Sequence, residues 1–85
     1  LKWYLNAAEQ GYAPAQVNLG LMYYNGDAVK KDNAYAHMWW SISSSAGSAT
    51  ALKNLDIIEK KMTKSDIFRA KKLKQECTNK KYKGC

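Results

Sequence analysis

The chain nearly repeats itself at a spacing of 36 residues. Trp3/Trp39, Gly11/Gly47, Ala13/Ala49, Ala15/Ala51, Asn18/Asn54 and Leu19/Leu55 are identical across that offset, and Tyr4/Trp40, Leu21/Ile57 and Met22/Ile58 are like-for-like apolar pairs. A period of that length marks a stacked array of small units, none of which can bury its apolar face alone. Such arrays mostly build surfaces for other molecules rather than pockets for chemistry. Eighty-five residues at 46% hydrophobic content supply one small core, which excludes a disordered segment.

Local signals say what the repeated unit is. Leu1, Tyr4, Leu5 and Ala8 recur at helical spacing over residues 1–10, and Gly11 is a natural stop. Pro14 suits the first turn of a second helix, which carries Ala15, Leu19, Met22 and Tyr23 on one face and ends at Asn25-Gly26. Asp32 is a good N-cap for a third helix with the stripe Ala36, Trp39, Trp40 and Ser43, closed by Gly47. A fourth helix over 49–61 repeats the second through Ala51, Leu55 and Ile58. Thr63 and Asp66 form a capping-box pattern for a fifth helix from Lys64 to about Lys80, with the stripe Ile67, Ala70, Leu73 and Cys77. No segment alternates at period two. The expected fold is therefore all-α: a right-handed α-solenoid of helix–turn–helix repeats with a C-terminal capping helix. Residues 1–61 divide into the second helix of one unit, one full unit and the first helix of a degenerate last unit. Residues 62–85 form the capping helix and tail.

Charge is lopsided. Residues 1–59 hold four Lys against five acids, whereas residues 60–85 hold ten Lys/Arg against Asp66 and Glu76. The basic segment reads either as the solvated face of a terminal helix or as an anion-binding surface for nucleic acid or anionic membrane. Arg69, Lys71, Lys72 and Lys74 face mostly outward in that reading. Nucleic acid is the disfavoured partner, because only Phe68 and Tyr82 interleave with the cations and Phe68 is expected to be partly buried. Cys77 and Cys85 both lie in the last nine residues. A disulfide between them would place the protein in an oxidising compartment, periplasmic or secreted; two free thiols would place it in the cytoplasm.

The run from Trp3 through Gln16 resembles the hallmark stretch of the Sel-one-like repeat family, as do Asn18 through Gly26, then Val29, Asp32, Ala36 and Trp39. The resemblance covers about residues 1–61. It implies a bacterial α-solenoid related to tetratricopeptide arrays, a scaffold for protein–protein contact without enzymatic activity or cofactor. Four positions depart from the pattern. Ala28 stands where the family usually has Gly. Ser43 and Ser44 replace the alanine pair seen at Ala7 and Ala8, and their hydroxyls need partners one turn back. Asp56 stands at the position of Gly20, as suits a worn final unit.

By tetratricopeptide-like stacking, the first helix of each unit lines a concave groove. That implies Pro14, Val17, Leu21 and Tyr24 from the second helix, and Thr50, Lys53, Ile57 and Lys60 from the fourth, as contacts for a protein or peptide with acidic flanks. The competing reading packs these residues against the tail helix or other repeats, leaving the segment as a structural end cap. Upstream repeats of the same chain are expected, because it enters mid-repeat at Leu1. The orphaned face of Leu1–Gln10 would then favour self-association.

Catalytic signals are missing. His37, the only histidine, reads as a surface or groove residue. Two Cys and one His lack the paired short spacings of a zinc site. No serine is followed by lysine three places on, which removes the nucleophile pattern of β-lactam-acting enzymes, and no Gly-rich phosphate loop is present. No run of apolar residues is long enough to cross a membrane as a helix.

Overall fold

A computed structural model describes residues 2–85 and shows five helices in chain order. They are α1 (Lys2–Glu9), α2 (Ala13–Asn25), α3 (Asn33–Ser45), α4 (Ala49–Glu59) and α5 (Lys64–Asn79). No strand occurs among the described residues. The all-α repeat fold read from the periodicity is what the chain adopts; Leu1, assigned above to the first helix, lies outside the described residues.

The boundaries follow side-chain chemistry. Asp32 accepts from the backbone N–H groups of Ala34 and Tyr35 at the start of α3. Thr63 and Asp66 satisfy each other's backbone N–H groups, completing the capping box of α5. Gly26 ends α2 with φ 71° and donates to the Met22 carbonyl, a left-handed stop that favours glycine. Two residues later Ala28 takes φ 64°. The loop keeps the conformation suited to glycine although alanine occupies it, at a cost of about 1 kcal/mol.

α3 is the hub. It packs against α2, α4 and α5, while α1 leans on α2. One side of α3 sends Met38, Trp39 and Ile42 into a core shared with Ala8, Ala15, Leu19 and Cys77. Its other side sends Ala36 and Trp40 into a second core with Ala51, Ile58, Met62 and Ala70. Small residues at the helix contacts let the backbones approach while the indoles fill the space beside them. Ser43 and Ser44 find the expected partners, their hydroxyls donating to the carbonyls of Trp39 and Ser41.

Gly20 shows the close approach best. A Cβ there would overlap the indole of Trp40, whose Nε1 donates to the Val17 carbonyl at 3.0 Å. Asp56, the counterpart of Gly20 in α4, is solvent-exposed and ion-pairs with Lys60 at 3.4 Å. Nothing packs over it, so the small residue is not needed.

The repeat is regular in sequence and irregular in surroundings. Trp39 is fully buried, whereas Trp3, its counterpart on α1, is 65% exposed. Trp39 is enclosed by side chains of α1, α2 and α5. Trp3 meets the Tyr4 ring edge-on at 5.1 Å and is otherwise largely open to solvent.

The tail folds back rather than continuing the array. Cys77 is joined to Cys85 by a disulfide with Cα atoms 5.6 Å apart. Tyr82 and Cys85 then pack on the core that contains Ala8. The Gly84 N–H donates to the Glu9 carboxylate at 3.3 Å, bringing the last turn back to α1.

Candidate functional site

The N-terminal half of α2 and the first turn of α4 flank the turn that ends α3. Between them opens a cleft of about 430 Å³ lined by Ala13, Pro14, Val17, Asn18, Ala46, Gly47, Ser48 and Thr50. Sequence dictates this shape locally. Pro14 occupies the first turn of α2, where its missing N–H removes no helical bond. Ser48 caps α4 by accepting from the Ala51 N–H at 3.1 Å, and Gly47 leaves the turn without a side chain. The cleft is therefore shallow, small-walled and mixed in polarity. It suits a strip of another chain better than a reacting small molecule.

Three of the eight expected groove residues meet there: Pro14, Val17 and Thr50. Val17 is half-buried against the second core. Leu21 is 45% exposed but faces a separate depression beside α1, with Tyr4, Asn18, Met22, Asn25 and Asp27. The Tyr24 hydroxyl accepts from Lys61 Nζ at 2.7 Å, and its ring tilts against Trp40. Lys53, Ile57 and Lys60 stand exposed along α4, and Asp56 already engages Lys60. The eight residues thus form a broken surface rather than one continuous groove. The reason is tertiary: Pro14 and Leu21, or Val17 and Tyr24, share a helix face at a spacing of seven, but Tyr4 of α1 beside Leu21 and Lys61 on the Tyr24 hydroxyl set these two apart from the cleft.

Of the four expected anion contacts, two are used inside the fold. Arg69 forms a two-pronged pair with Asp32 at 3.1 and 3.2 Å and lies 5.9 Å over the Tyr35 ring. Lys74 donates to Ser45 Oγ at 3.2 Å. Lys71 and Lys72 remain on the outer side, together with Phe68. The expectation that Phe68 is partly buried fails, for it is 73% exposed. It adjoins Ile67 in sequence but points away from the seam that Ile67, Ala70 and Leu73 make with the rest of the fold.

His37 is also not where the sequence suggested. It is 3% exposed, and its Nε2 donates to Glu59 at 2.7 Å, tying α3 to the end of α4. Its partner lies 22 residues away, a pairing that no local spacing reveals. The same holds for Gln16, buried with its Nε2 donating to the Ala8 carbonyl at 3.0 Å.

Electrostatics concentrate where α5 meets α3. Burial pushes the Asp32 carboxyl up, but the hydrogen bonds from Arg69 and from the backbone of Tyr35 and Ala34, with the guanidinium charge, hold it below its ordinary value. The bond to Asp32 raises Arg69 in turn. Burial, with Tyr35 and Asp32 alongside, raises the phenol of Tyr23, which stacks on Tyr35 at 5.1 Å. Among the described residues, no three His, Cys, Asp or Glu side chains gather as a metal would require, and no helix is long and apolar enough to cross a membrane.

A search of curated proteins finds no match to the chain. The family profile described as Sel1 repeat matches residues 1–12 and 13–48, which takes in α1, α2 and α3 and stops where α4 begins.

Proposed function

The chain belongs to the Sel1 repeat family, whose repeats generally mediate protein–protein contacts, and from that premise we propose that it captures a protein or peptide partner in the cleft between α2 and α4. The observation that carries the reading is the cleft itself, walled by α2, the turn that ends α3 and the first turn of α4, with Pro14, Val17 and Thr50 on its walls. Along α4 beyond Thr50, the exposed Ile57 with Lys53 and Lys60 would offer further contacts to a partner with acidic flanks. Members of the family are typically scaffolds rather than enzymes, and the role here is non-catalytic. The disulfide suits an oxidising compartment, so the reading places the protein in the periplasm or outside the cell. In this scheme residues 1–61 are the repeat units and residues 62–85 close them.

Thr50 is exposed at the mouth of the cleft, so Thr50→Arg fills it without touching the core. Partner capture by the full protein should fall at least about tenfold, while the melting temperature stays unchanged. Lys53→Ala should weaken capture less, and Lys60→Ala least, since Asp56 already engages that cation. Capture unaltered by Thr50→Arg would discard the cleft as the binding site.

A further inference from the structure

α5 has two faces of different chemistry. Its inner face is spent on docking: Ile67, Ala70, Leu73 and Cys77 enter the cores, Arg69 holds Asp32 and Lys74 holds Ser45. Its outer face carries Lys64, Phe68, Lys71, Lys72 and Gln75, at offsets of 0, 4, 7, 8 and 11 that form a single stripe of a helix. No acid falls in that stripe; Glu76, one turn after Lys72, stands on its flank, and Asp66, on the far side of the helix, is engaged in the capping box. Ion pairs among the described residues include none of these three lysines. The Phe68 ring, at 73% the most exposed large hydrophobic side chain described, sits with Lys71, Lys72 and Gln75 around a shallow depression of about 290 Å³.

We propose that this outer face of α5 rests on an anionic phospholipid surface. Phe68 seats at the boundary between headgroups and acyl chains, while Lys64, Lys71 and Lys72 lay their stems along it and reach the phosphates. Charge complementarity supports the choice, since the last 26 residues hold ten cations against two acids. The make-up of the stripe supports it as well. It presents one exposed ring among lysines around a shallow depression, whereas a single nucleic-acid strand calls for a groove with several stacking platforms. The disulfide on the same helix suits an oxidising compartment, where lipid headgroups are a more abundant polyanion than nucleic acid. One ring and three lysines give reversible, salt-sensitive attachment rather than anchoring. This surface is separate from the cleft between α2 and α4 and stands without it.

The test is co-sedimentation of the whole chain with phosphatidylglycerol–phosphatidylcholine vesicles, against phosphatidylcholine alone, at low and high salt. Binding should appear only on the anionic vesicles and fall with salt. Each lysine near such a surface is worth about fivefold, so Lys64→Gln, Lys71→Gln and Lys72→Gln together should weaken binding about 100-fold. Phe68→Ser should weaken it about tenfold, with its salt dependence kept. Lys2→Gln, Lys30→Gln and Lys31→Gln together remove the same charge elsewhere and should change binding less than about threefold. All these side chains are exposed, and thermal melts by circular dichroism verify that each variant folds. Equal loss in the two triple variants would overturn the assignment. So would equal binding to neutral vesicles, no vesicle binding at all, or tighter binding to an oligonucleotide through the same three lysines.

Discussion

Replacing Gly20 with alanine tests the packing argument at its tightest point. In an ordinary helix interior the change would stabilise by about 1 kcal/mol, because alanine surrenders less backbone entropy than glycine. Here the new Cβ overlaps the Trp40 indole. Moving the ring costs about 1–3 kcal/mol as overpacking. Breaking its bond to the Val17 carbonyl orphans a buried indole N–H, which costs about another 1–3 kcal/mol. The sum is a net loss of about 3 kcal/mol, with the packing terms outweighing propensity. For a domain of this size that lowers the melting temperature by roughly 12–24 °C. Differential scanning calorimetry on wild type and Gly20→Ala reads the effect directly. Trp40→Phe supplies the cross-check, since it removes the N–H and narrows the ring. In that background the alanine should cost about 1 kcal/mol or less, leaving a coupling of about 2 kcal/mol between the two positions. A Gly20→Ala protein that melts at or above the wild-type temperature would refute the reasoning. An identical cost in both backgrounds would refute the role given to Trp40.

Two further outcomes follow from the seams around α5. Cys85→Ser opens a short disulfide loop and should lower unfolding free energy by about 2.5 kcal/mol in urea titrations; a thiol assay on unreduced, unfolded wild type should find no free sulfhydryl. Asp32→Asn keeps a good N-cap but discharges the pair with Arg69, so it should cost less than about 1 kcal/mol at neutral pH. Because folding depresses the Asp32 pKa, its stabilisation is present above the unfolded value near 4 and is lost as pH falls through the lower folded value. The stability gap between wild type and variant should therefore close in acid, and a gap that stays constant down to pH 2 would contradict the pairing.

Much of the architecture was legible in the residues because helix signals are local. The caps at Asp32 and Thr63, the stop at Asn25-Gly26 and the stripes through Trp39 and Ala70 each act within about one turn, and each does what its chemistry predicts. The period of 36 residues carried the family and the two-helix unit. The disulfide was legible as one of two readings, because the two cysteines are only eight residues apart.

What depended on distance in sequence was not legible. His37 meets Glu59, Arg69 meets Asp32 and Gln16 meets Ala8 only after whole helices have docked, and no spacing rule couples such positions. Trp3 and Trp39 are the same letter in the same register, yet one is bathed in solvent and the other enclosed, since burial belongs to the neighbours a residue acquires and not to its own helix. The same logic divided the basic segment. Periodicity alone made α5 a helix with a cationic side, but its docking against α3 decided that Arg69 and Lys74 are engaged by Asp32 and Ser45 while Phe68, Lys71 and Lys72 are left facing out.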